Sequence, residues 1–235
     1  HKKHALVEKP LWGEPGQLEK LESLARSCGV VCYTAYNHRF EPHFKRMKEV
    51  LASGVLGRIY SCRMFYGNGT ARLVRESPWR DKGLGIIKDL GSHLVDTCRF
   101  WFPGTTFDFR LNYSNNFENL SPDHAILTHA GDKFHVELEM TMLMWKNHFT
   151  CDILAEKGSA HISSLCKWGP TKFSLRHRLL PSGKPREESV VLEQPDPTWA
   201  EEYKCFVDLC RSGAKTRLDH DRWIQETLSQ FDKDK

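Results

Sequence analysis

The sequence has no long hydrophobic run, no C-x-x-C cysteine pair and no block of basic charge. A membrane-spanning helix needs about 20 consecutive apolar residues, and no stretch of the 235-residue chain comes near that length. The eight cysteines are dispersed, which is typical of reduced thiols and disfavours both a disulfide scaffold and a zinc site. The first residues lack the apolar segment of a secretory signal peptide. We therefore expect a soluble, cytoplasmic protein without a metal or a membrane partner.

The balance of charge excludes a second class of protein. The chain carries 34 basic and 30 acidic residues, a net charge of +4. A nucleic-acid-binding protein usually concentrates its basic residues in a stripe, whereas the longest basic runs here are as short as Lys2-Lys3 and Lys45-Arg46. The hydrophobic fraction of 40% is large enough for a packed core and excludes a disordered chain. We expect a globular protein with no nucleic-acid partner.

The first 36 residues have the pattern of one βαβ unit. An apolar run at residues 5–7 ends at Glu8-Lys9-Pro10, where proline interrupts a strand. Residues 15–28 carry leucines at helical spacing and are followed by Gly29. The next run, residues 30–36, is apolar almost without interruption, as in a strand that is buried on both faces of a parallel sheet. The chain is therefore predicted to begin inside an α/β sheet.

Beyond Pro42 the pattern changes to an α+β arrangement. Helices are predicted at residues 42–54, 89–102, 198–210 and 219–230. Strands are predicted at residues 59–66 and in succession from 107 to 180, with tight turns at 130–133 and 156–159. Strands joined by tight turns form an antiparallel sheet. The Pro- and Glu-rich residues 181–197 are predicted to be an exposed loop.

Lys9 is the first candidate for chemistry. A lysine at the carboxyl end of a parallel strand lies where α/β sheets bind ligands, and its ammonium can stabilise a developing alkoxide. The alternative is a surface lysine that happens to follow a strand, which the tripeptide alone favours.

The second candidate is the segment from Lys82 to Asp96. On a helix, Asp89, His93 and Asp96 fall within about 60° of one another, at about 100° per residue. A histidine with a carboxylate one turn before it suits a general acid or base near neutral pH. The alternative is an ordinary solvated helix face, since two acids and a histidine are common there.

Five motifs together resemble the Gfo/Idh/MocA family of oxidoreductases, which includes glucose-fructose oxidoreductase and inositol dehydrogenase. They occur in the family's order and approximate spacing over nearly the whole chain: Glu8-Lys9-Pro10, Tyr36-Asn37-His38-Arg39-Phe40-x-Pro42, Gly54-x-x-Gly57, Trp79-Arg80 and Asp89-x-Gly91-x-His93-x-x-Asp96. The resemblance implies a Rossmann domain that binds NAD or NADP, followed by an α/β domain with a large, open, mainly antiparallel sheet. It also implies oligomerisation through the outer face of that sheet.

The resemblance assigns roles to individual residues. Lys9 matches the lysine that contacts the nicotinamide ribose and the reacting hydroxyl, His93 the proton-transferring base, and Asp89 the carboxylate that holds substrate or histidine. The implied catalytic set is therefore Lys9, Asp89 and His93. The implied cofactor-binding set is Glu8, Lys9, Pro10, Asn37, Arg39, Trp79 and Arg80.

The chain departs from the family pattern in its phosphate loop. No G-x-G-x-x-G follows a predicted strand, although a Rossmann sheet needs that loop to hold the pyrophosphate at a helix N-terminus. We therefore expect an N-terminally truncated chain. Residues 1–42 would be the last part of the Rossmann domain, and residues 43–235 the substrate-binding and oligomerisation domain. The isolated chain is expected to be inactive.

Two functional hypotheses remain open at this stage. The first is an NAD(P)-dependent oxidoreductase that acts on a sugar, a sugar nucleotide or a cyclic polyol. The second is a non-catalytic binding or assembly module with the same fold, which the missing glycine loop favours and the intact Lys9, Asp89 and His93 disfavour. In either case, one face of the sheet is expected to carry exposed apolar side chains and to join subunits into a homo-oligomer.

Overall fold

The structure is a computed structural model that describes residues 2–131 and 134–232. Its helices are α1 (Gln17–Ser27), α2 (Pro42–Ala52), α3 (Ala71–Arg75), α4 (Ile86–Trp101), α5 (Thr198–Arg211) and α6 (Asp219–Ser229), with short 3₁₀ turns at Asn37–Phe40 and Cys166–Trp168. Its strands are β1 (Ala5–Glu8), β2 (Cys32–Ala35), β3 (Ile59–Gly67), β4 (Phe109–Asn115), β5 (His124–Ala130), β6 (His135–Thr141), β7 (His148–Ala155), β8 (Gly158–Ser163), β9 (Thr171–His177) and β10 (Arg186–Leu192). Two residues of the predicted turn at 130–133, Asp132 and Lys133, lie outside the described residues. Among the described residues, none of the helices combines the length and the apolar character that a membrane crossing requires.

The predicted βαβ unit is confirmed. β1 and β2 pair in parallel, with Ala5 opposite Cys32, and α1 connects them. The Thr216 hydroxyl covers the far edge of β2, accepting a hydrogen bond from the Cys32 N–H at 2.9 Å and donating one to the Val30 carbonyl at 3.0 Å. Among the described residues, β1 pairs along one edge only, and it is mostly exposed.

The second sheet has eight strands in the order β10-β9-β8-β7-β3-β6-β5-β4. All of its pairings are antiparallel except that of β3 with β6. The expected large, mainly antiparallel sheet is thus confirmed, and the predicted turn at 156–159 joins β7 to β8. The prediction of a loop over residues 181–197 was wrong in part, because β10 pairs with β9 there. The side chains of this edge strand are almost all exposed, so no hydrophobic pattern marks it.

Helix α4 packs on the inner face of the sheet. Val136, Leu138 and Met140 of β6 are fully buried against it, and a Cβ on Gly91 would lie 3.0 Å from the Met140 sulfur. Glycine therefore permits the close approach of helix and strand. The apolar residues of α4 are buried, and so are His93 and Asp96. The alternative of a solvated helix face is excluded for these two residues.

At the centre of the sheet, the outer face is charged rather than apolar. Glu137 and Glu139 of β6 point outward beside Arg63 of β3, whose guanidinium lies 2.9 Å from Glu137 and 3.6 Å from Glu139. Further along, His161 lies 2.5 Å from Asp152. The expectation of an exposed apolar surface was wrong for β6, because its alternating apolar residues lie on the inner face, whereas Leu154 of β7 and Tyr113 of β4 are exposed. Homo-oligomerisation through this sheet stays a prediction.

Candidate functional site

Lys9 joins the small sheet to helix α4. It directly follows β1, and its ammonium donates to the Asp89 carbonyl at 2.7 Å and to Asp89 Oδ1 at 2.9 Å. The Lys9 side chain is only 11% exposed, so the ammonium depends on these acceptors. The bond from Lys9 to Pro10 is cis. The lysine and the aspartate that the sequence proposes for one site therefore meet, although 80 residues separate them.

Asp89 is held by a second cation. The Arg80 guanidinium lies 3.5 Å from Asp89 Oδ2, in the motif that the sequence singles out. Burial opposes ionisation of Asp89, but the charge and hydrogen bond of Lys9, together with Arg80, outweigh it and hold the pKa of this carboxyl below its ordinary value. The site thus contains a carboxylate that stays charged.

A cavity of about 390 Å³ opens beside this pair. Six of the predicted site residues line it: Glu8, Lys9, Pro10, Trp79, Arg80 and Asp89. Trp79 is 74% exposed at its rim, so its indole is free to pack on a ligand. Lys82 and Lys88 also line the cavity. A cavity of this size accommodates a small molecule.

His93 lies one turn further along α4, in the protein interior. Its ring stacks on the His38 ring, with centroids 4.0 Å apart and planes 15° from parallel. Burial, then the nearby His38, Lys9 and Lys167, lower the pKa of His93 well below the ordinary histidine value. The hydrogen bonds of the described residues include none between Asp89 and His93, and the Asp89 carboxylate contacts Lys9 and Arg80 instead. The lowered pKa favours the neutral imidazole, whose ring lies against that of His38.

Asn37 and Arg39 lie away from the residues that line the cavity. The Asn37 amide donates to the Thr198 hydroxyl at 3.1 Å, at the start of α5. Arg39 Nε donates to Asp96 Oδ1 at 3.0 Å, and His220 Nε2 lies 2.6 Å from the same oxygen. These contacts fix the 3₁₀ turn after β2 against α4, α5 and α6. A direct cofactor contact of Asn37 or Arg39 stays a prediction, and so do the roles of the other proposed site residues.

Sequence reasoning did not assign Tyr66 and Lys167 to the site. The Lys167 ammonium donates to the Tyr66 hydroxyl at 3.2 Å and lies 4.9 Å from the Trp168 ring. Burial lowers the pKa of Lys167, and the charges of Glu41 and Asp196, followed by those of Lys9 and Asp89, have smaller effects on it. Tyr66 is on the inward-facing side of β3, which the alternation of that strand signals. No local pattern brings Lys167 to it from about a hundred residues away.

Comparisons with known proteins identify relatives over most of the chain. The sequence model of a family described as the GFO/IDH/MocA C-terminal domain matches residues 44–161. A mouse protein named trans-1,2-dihydrobenzene-1,2-diol dehydrogenase is 31% identical over 172 residues, which make up 73% of this chain and 50% of that protein. An Escherichia coli protein named uncharacterized oxidoreductase YdgJ is 26% identical over 231 residues, 96% of this chain and 59% of that protein. The chain thus spans about half the length of these relatives.

A solved structure of levoglucosan dehydrogenase, in complex with NADH and L-sorbose, has the same fold. The superposition covers 97% of this chain and 71% of the levoglucosan dehydrogenase chain, with a TM-score of 0.76 and 16% sequence identity. At this identity the likeness concerns the fold.

Proposed function

This chain belongs to the GFO/IDH/MocA family, and from that premise we propose that it forms the catalytic and substrate-binding part of an NAD(P)-dependent oxidoreductase acting on a sugar or polyol. The observation that carries the proposal is the Lys9–Asp89 pair at the cavity, with the neutral His93 one helical turn further on. Oxidising a hydroxyl requires a proton acceptor and a positive charge near the same oxygen. His93 and Lys9 have those properties.

The residues present fit the nicotinamide end of NAD or NADP. Lys9 and Pro10 follow the carboxyl end of a parallel strand, and Trp79 and Arg80 line the same cavity. The sequence contains no G-x-G-x-x-G loop for the phosphate end. We propose that residues 1–42 are the last part of a dinucleotide-binding domain, which the unpaired edge of β1 among the described residues supports. Residues 43–235 would form the substrate domain.

The chain's own groups divide the work as follows. When bound, the nicotinamide cofactor supplies the acceptor for a hydride from the substrate carbon. His93 accepts the hydroxyl proton as that hydride leaves. Lys9 stabilises the negative charge that develops on the oxygen, and Asp89 holds the Lys9 ammonium in place. Among these groups only His93 changes its protonation state.

The substrate class is supported by the cavity and by the relatives. The exposed Trp79 presents a flat apolar surface on which the C–H face of a sugar or cyclic polyol packs, while Lys9, Arg80 and Asp89 offer polar contacts to hydroxyls. The names of the mouse and levoglucosan relatives refer to a cyclic diol and to an anhydrosugar.

The test uses the longest natural protein that contains this chain. Reduction of NAD and of NADP is followed by absorbance with a panel of myo-inositol, scyllo-inositol, glucose, levoglucosan and a dihydrodiol. We expect turnover of at least one panel member with one of the two cofactors. Reduction with none of them would contradict the proposal. We further expect calorimetry to detect no saturable binding of NAD or NADP to the 235-residue chain alone, and micromolar binding would show that residues of this chain hold the phosphate end of the cofactor as well.

A further inference from the structure

The interior end of the site contains a second histidine that the proposed mechanism does not use. His38 is 1% exposed, and neither of its ring nitrogens has a hydrogen-bond partner among the described residues. Buried polar groups are normally paired, because an unpaired one loses its hydrogen bonds to water without replacement. A buried histidine without hydrogen bonds, in contact with the proposed base, therefore has to be explained by something other than a structural hydrogen bond.

We infer that His38 is a positioning residue whose flat ring fixes the plane of His93 by stacking. The inference rests on the proposed function, since it assumes that His93 transfers the proton. The geometry that carries it is the near-parallel stack, with centroids 4.0 Å apart and planes 15° from parallel. The alternative means of orienting a catalytic histidine is a hydrogen bond to Nδ1. That atom of His93 is buried and has no partner among the described residues.

The surroundings of the pair hold the His38 ring in its position. Tyr66 of β3 lies 5.4 Å from the His38 ring and 6.0 Å from the His93 ring, and Phe44 of α2 lies 5.7 Å from His38, all between centroids. His38 is thus packed between two elements of the core and presents its remaining face to His93. Stacking restricts rotation of the His93 ring in a way that an aliphatic side chain of similar size does not.

The ionisable groups around the pair are compatible with a stack of two neutral rings. Lys9 faces it from the end of β1, Lys167 from the second 3₁₀ turn, and Asp89 lies on the same helix as His93. Burial, followed by the charges of the two lysines, holds the pKa of His38 well below its ordinary value. When His93 takes up a proton during turnover, a neutral His38 presents its π face to the new cation rather than a second positive charge.

Two apolar substitutions separate a stacking role from simple filling of space. His38→Phe keeps a flat ring, whereas His38→Leu fills similar volume without one. In the longest natural protein that contains this chain, we expect kcat of His38→Leu to be roughly three- to tenfold lower than that of His38→Phe, the rate equivalent of one aromatic contact. The KM of the two variants should agree within about twofold, because His38 does not line the cavity.

A spectroscopic measurement reads the stack independently of activity. With ¹³Cε1-labelled histidine, the His93 resonance is assigned by its disappearance in His93→Gln. We expect its proton to keep a ring-current shift in His38→Phe and to lose that shift in His38→Leu. His43→Leu is the matched control, because His43 is also a buried histidine, at 3% exposure, but packs on Phe173 away from the site.

Each outcome decides between the alternatives. Equal kcat for His38→Phe and His38→Leu, or an equal loss in His43→Leu, would overturn the positioning role. So would a His93 resonance without a ring-current shift in the unsubstituted protein. The His93 ring-current shift could differ between His38→Phe and His38→Leu in a protein that oxidises no polyol. In that case the stack exists but the proposed function is wrong, and the positioning role would be abandoned with it.

Discussion

The two sheets of this molecule are stabilised in different ways. In the eight-stranded sheet, the inward side chains of β6 are completely buried and every strand except the two at the edges has two neighbours. In the two-stranded sheet, β1 has one neighbour among the described residues, and Leu6 at its centre is 41% exposed. The large sheet therefore carries the hydrophobic core, and the small sheet depends on contacts with α4, α5 and the segment around Thr216.

The candidate site lies where these two regions meet. Lys9 comes from the small sheet, whereas Asp89 and His93 come from the helix that packs on the large one. In such a site, the residues on α4 are held by the large core, whereas Lys9 belongs to a small sheet that opens more readily. The large sheet can therefore stay folded while the site is lost. Each of the following predictions compares the effect of a change in one region with its effect in the other.

The largest expected effect is on turnover. In the longest natural protein that contains this chain, His93→Ala should lower kcat by roughly 10²–10⁴-fold, the usual contribution of a positioned acid–base group. Lys9→Ala should lower it by a comparable order, because it removes a charge next to the developing alkoxide. Steady-state kinetics measure both, with His161→Ala on the outer face of the sheet as control. If either His93→Ala or Lys9→Ala keeps full turnover, the substituted residue has no part in the mechanism.

The next effect concerns the contacts that join the regions. Arg39→Met removes the main partner of Asp96, which is 1% exposed, and should reduce the free energy of unfolding by about 3–5 kcal/mol. Arg72→Met, which breaks the exposed pair with Glu76, should cost less than about 0.5 kcal/mol. Urea unfolding at neutral pH measures both values. Similar losses in the two variants would mean that the Arg39 contact is no stronger than a surface pair.

The same ion pair predicts a dependence on acid. Burial opposes ionisation of Asp96, but Arg39 and His220 outweigh it, so the pKa of Asp96 is lower in the folded chain. The contribution of ionised Asp96 to the free energy of unfolding is therefore complete above the ordinary aspartate pKa of about 3.9. It is lost as pH falls through the lower pKa of the folded chain. Between pH 5 and pH 3, the unsubstituted chain should lose more stability than Arg39→Met. An equal loss of stability in the unsubstituted chain and in Arg39→Met would contradict the predicted direction of the Asp96 pKa shift.

A matched pair of leucines compares the sheets directly. Leu138→Ala, in the completely buried centre of β6, should reduce the free energy of unfolding by about 2–5 kcal/mol. Leu6→Ala, in the middle of β1, should reduce it by less than about 1 kcal/mol, because a large part of that side chain is already in water. Chemical denaturation gives both values. A larger loss at Leu6 would show that β1 is covered by contacts other than those described.

The smallest effect is a dependence on neutral pH that belongs to the small sheet. Burial raises the pKa of Glu202 on α5 to about 7, and its carboxyl lies 3.4 Å from the Tyr33 hydroxyl of β2. Because the pKa of Glu202 in the folded chain lies above its ordinary value, protonated Glu202 stabilises the fold. This contribution to the free energy of unfolding is complete near pH 4 and is lost as pH rises through 7. Glu202→Gln, which mimics the protonated acid, should remove about 1–3 kcal/mol of the fall in stability between pH 5 and pH 9. An unchanged pH profile in this variant would assign the dependence to another group.

The sequence predicts elements better than it predicts partners. Periodicity identifies α4 and the βαβ unit, because their apolar residues repeat at helical or strand spacing. It misses β10, whose stability comes from backbone pairing to β9 rather than from buried side chains. For the site, spacing places Asp89 and His93 one turn apart on a single helix, but it does not reveal that Asp89 contacts Lys9 while His93 stacks on His38. Those choices depend on residues that are distant in the sequence and that only the folded chain brings near.

The central position of β3 has a consequence for how the chain can fold. The pairing Ser61–His135 on one side and Gly67–His148 on the other both join residues more than 70 positions apart. Closing such long loops costs little extra stability, because the entropy grows only with the logarithm of length, but it slows the search for the native pairing. Until β3 inserts, the strands β6 and β7 each present a free edge to neighbouring molecules. During synthesis, the strand made first in this sheet therefore stays without its neighbours until β6 and β7 have been made, and its own edges are also free in that interval.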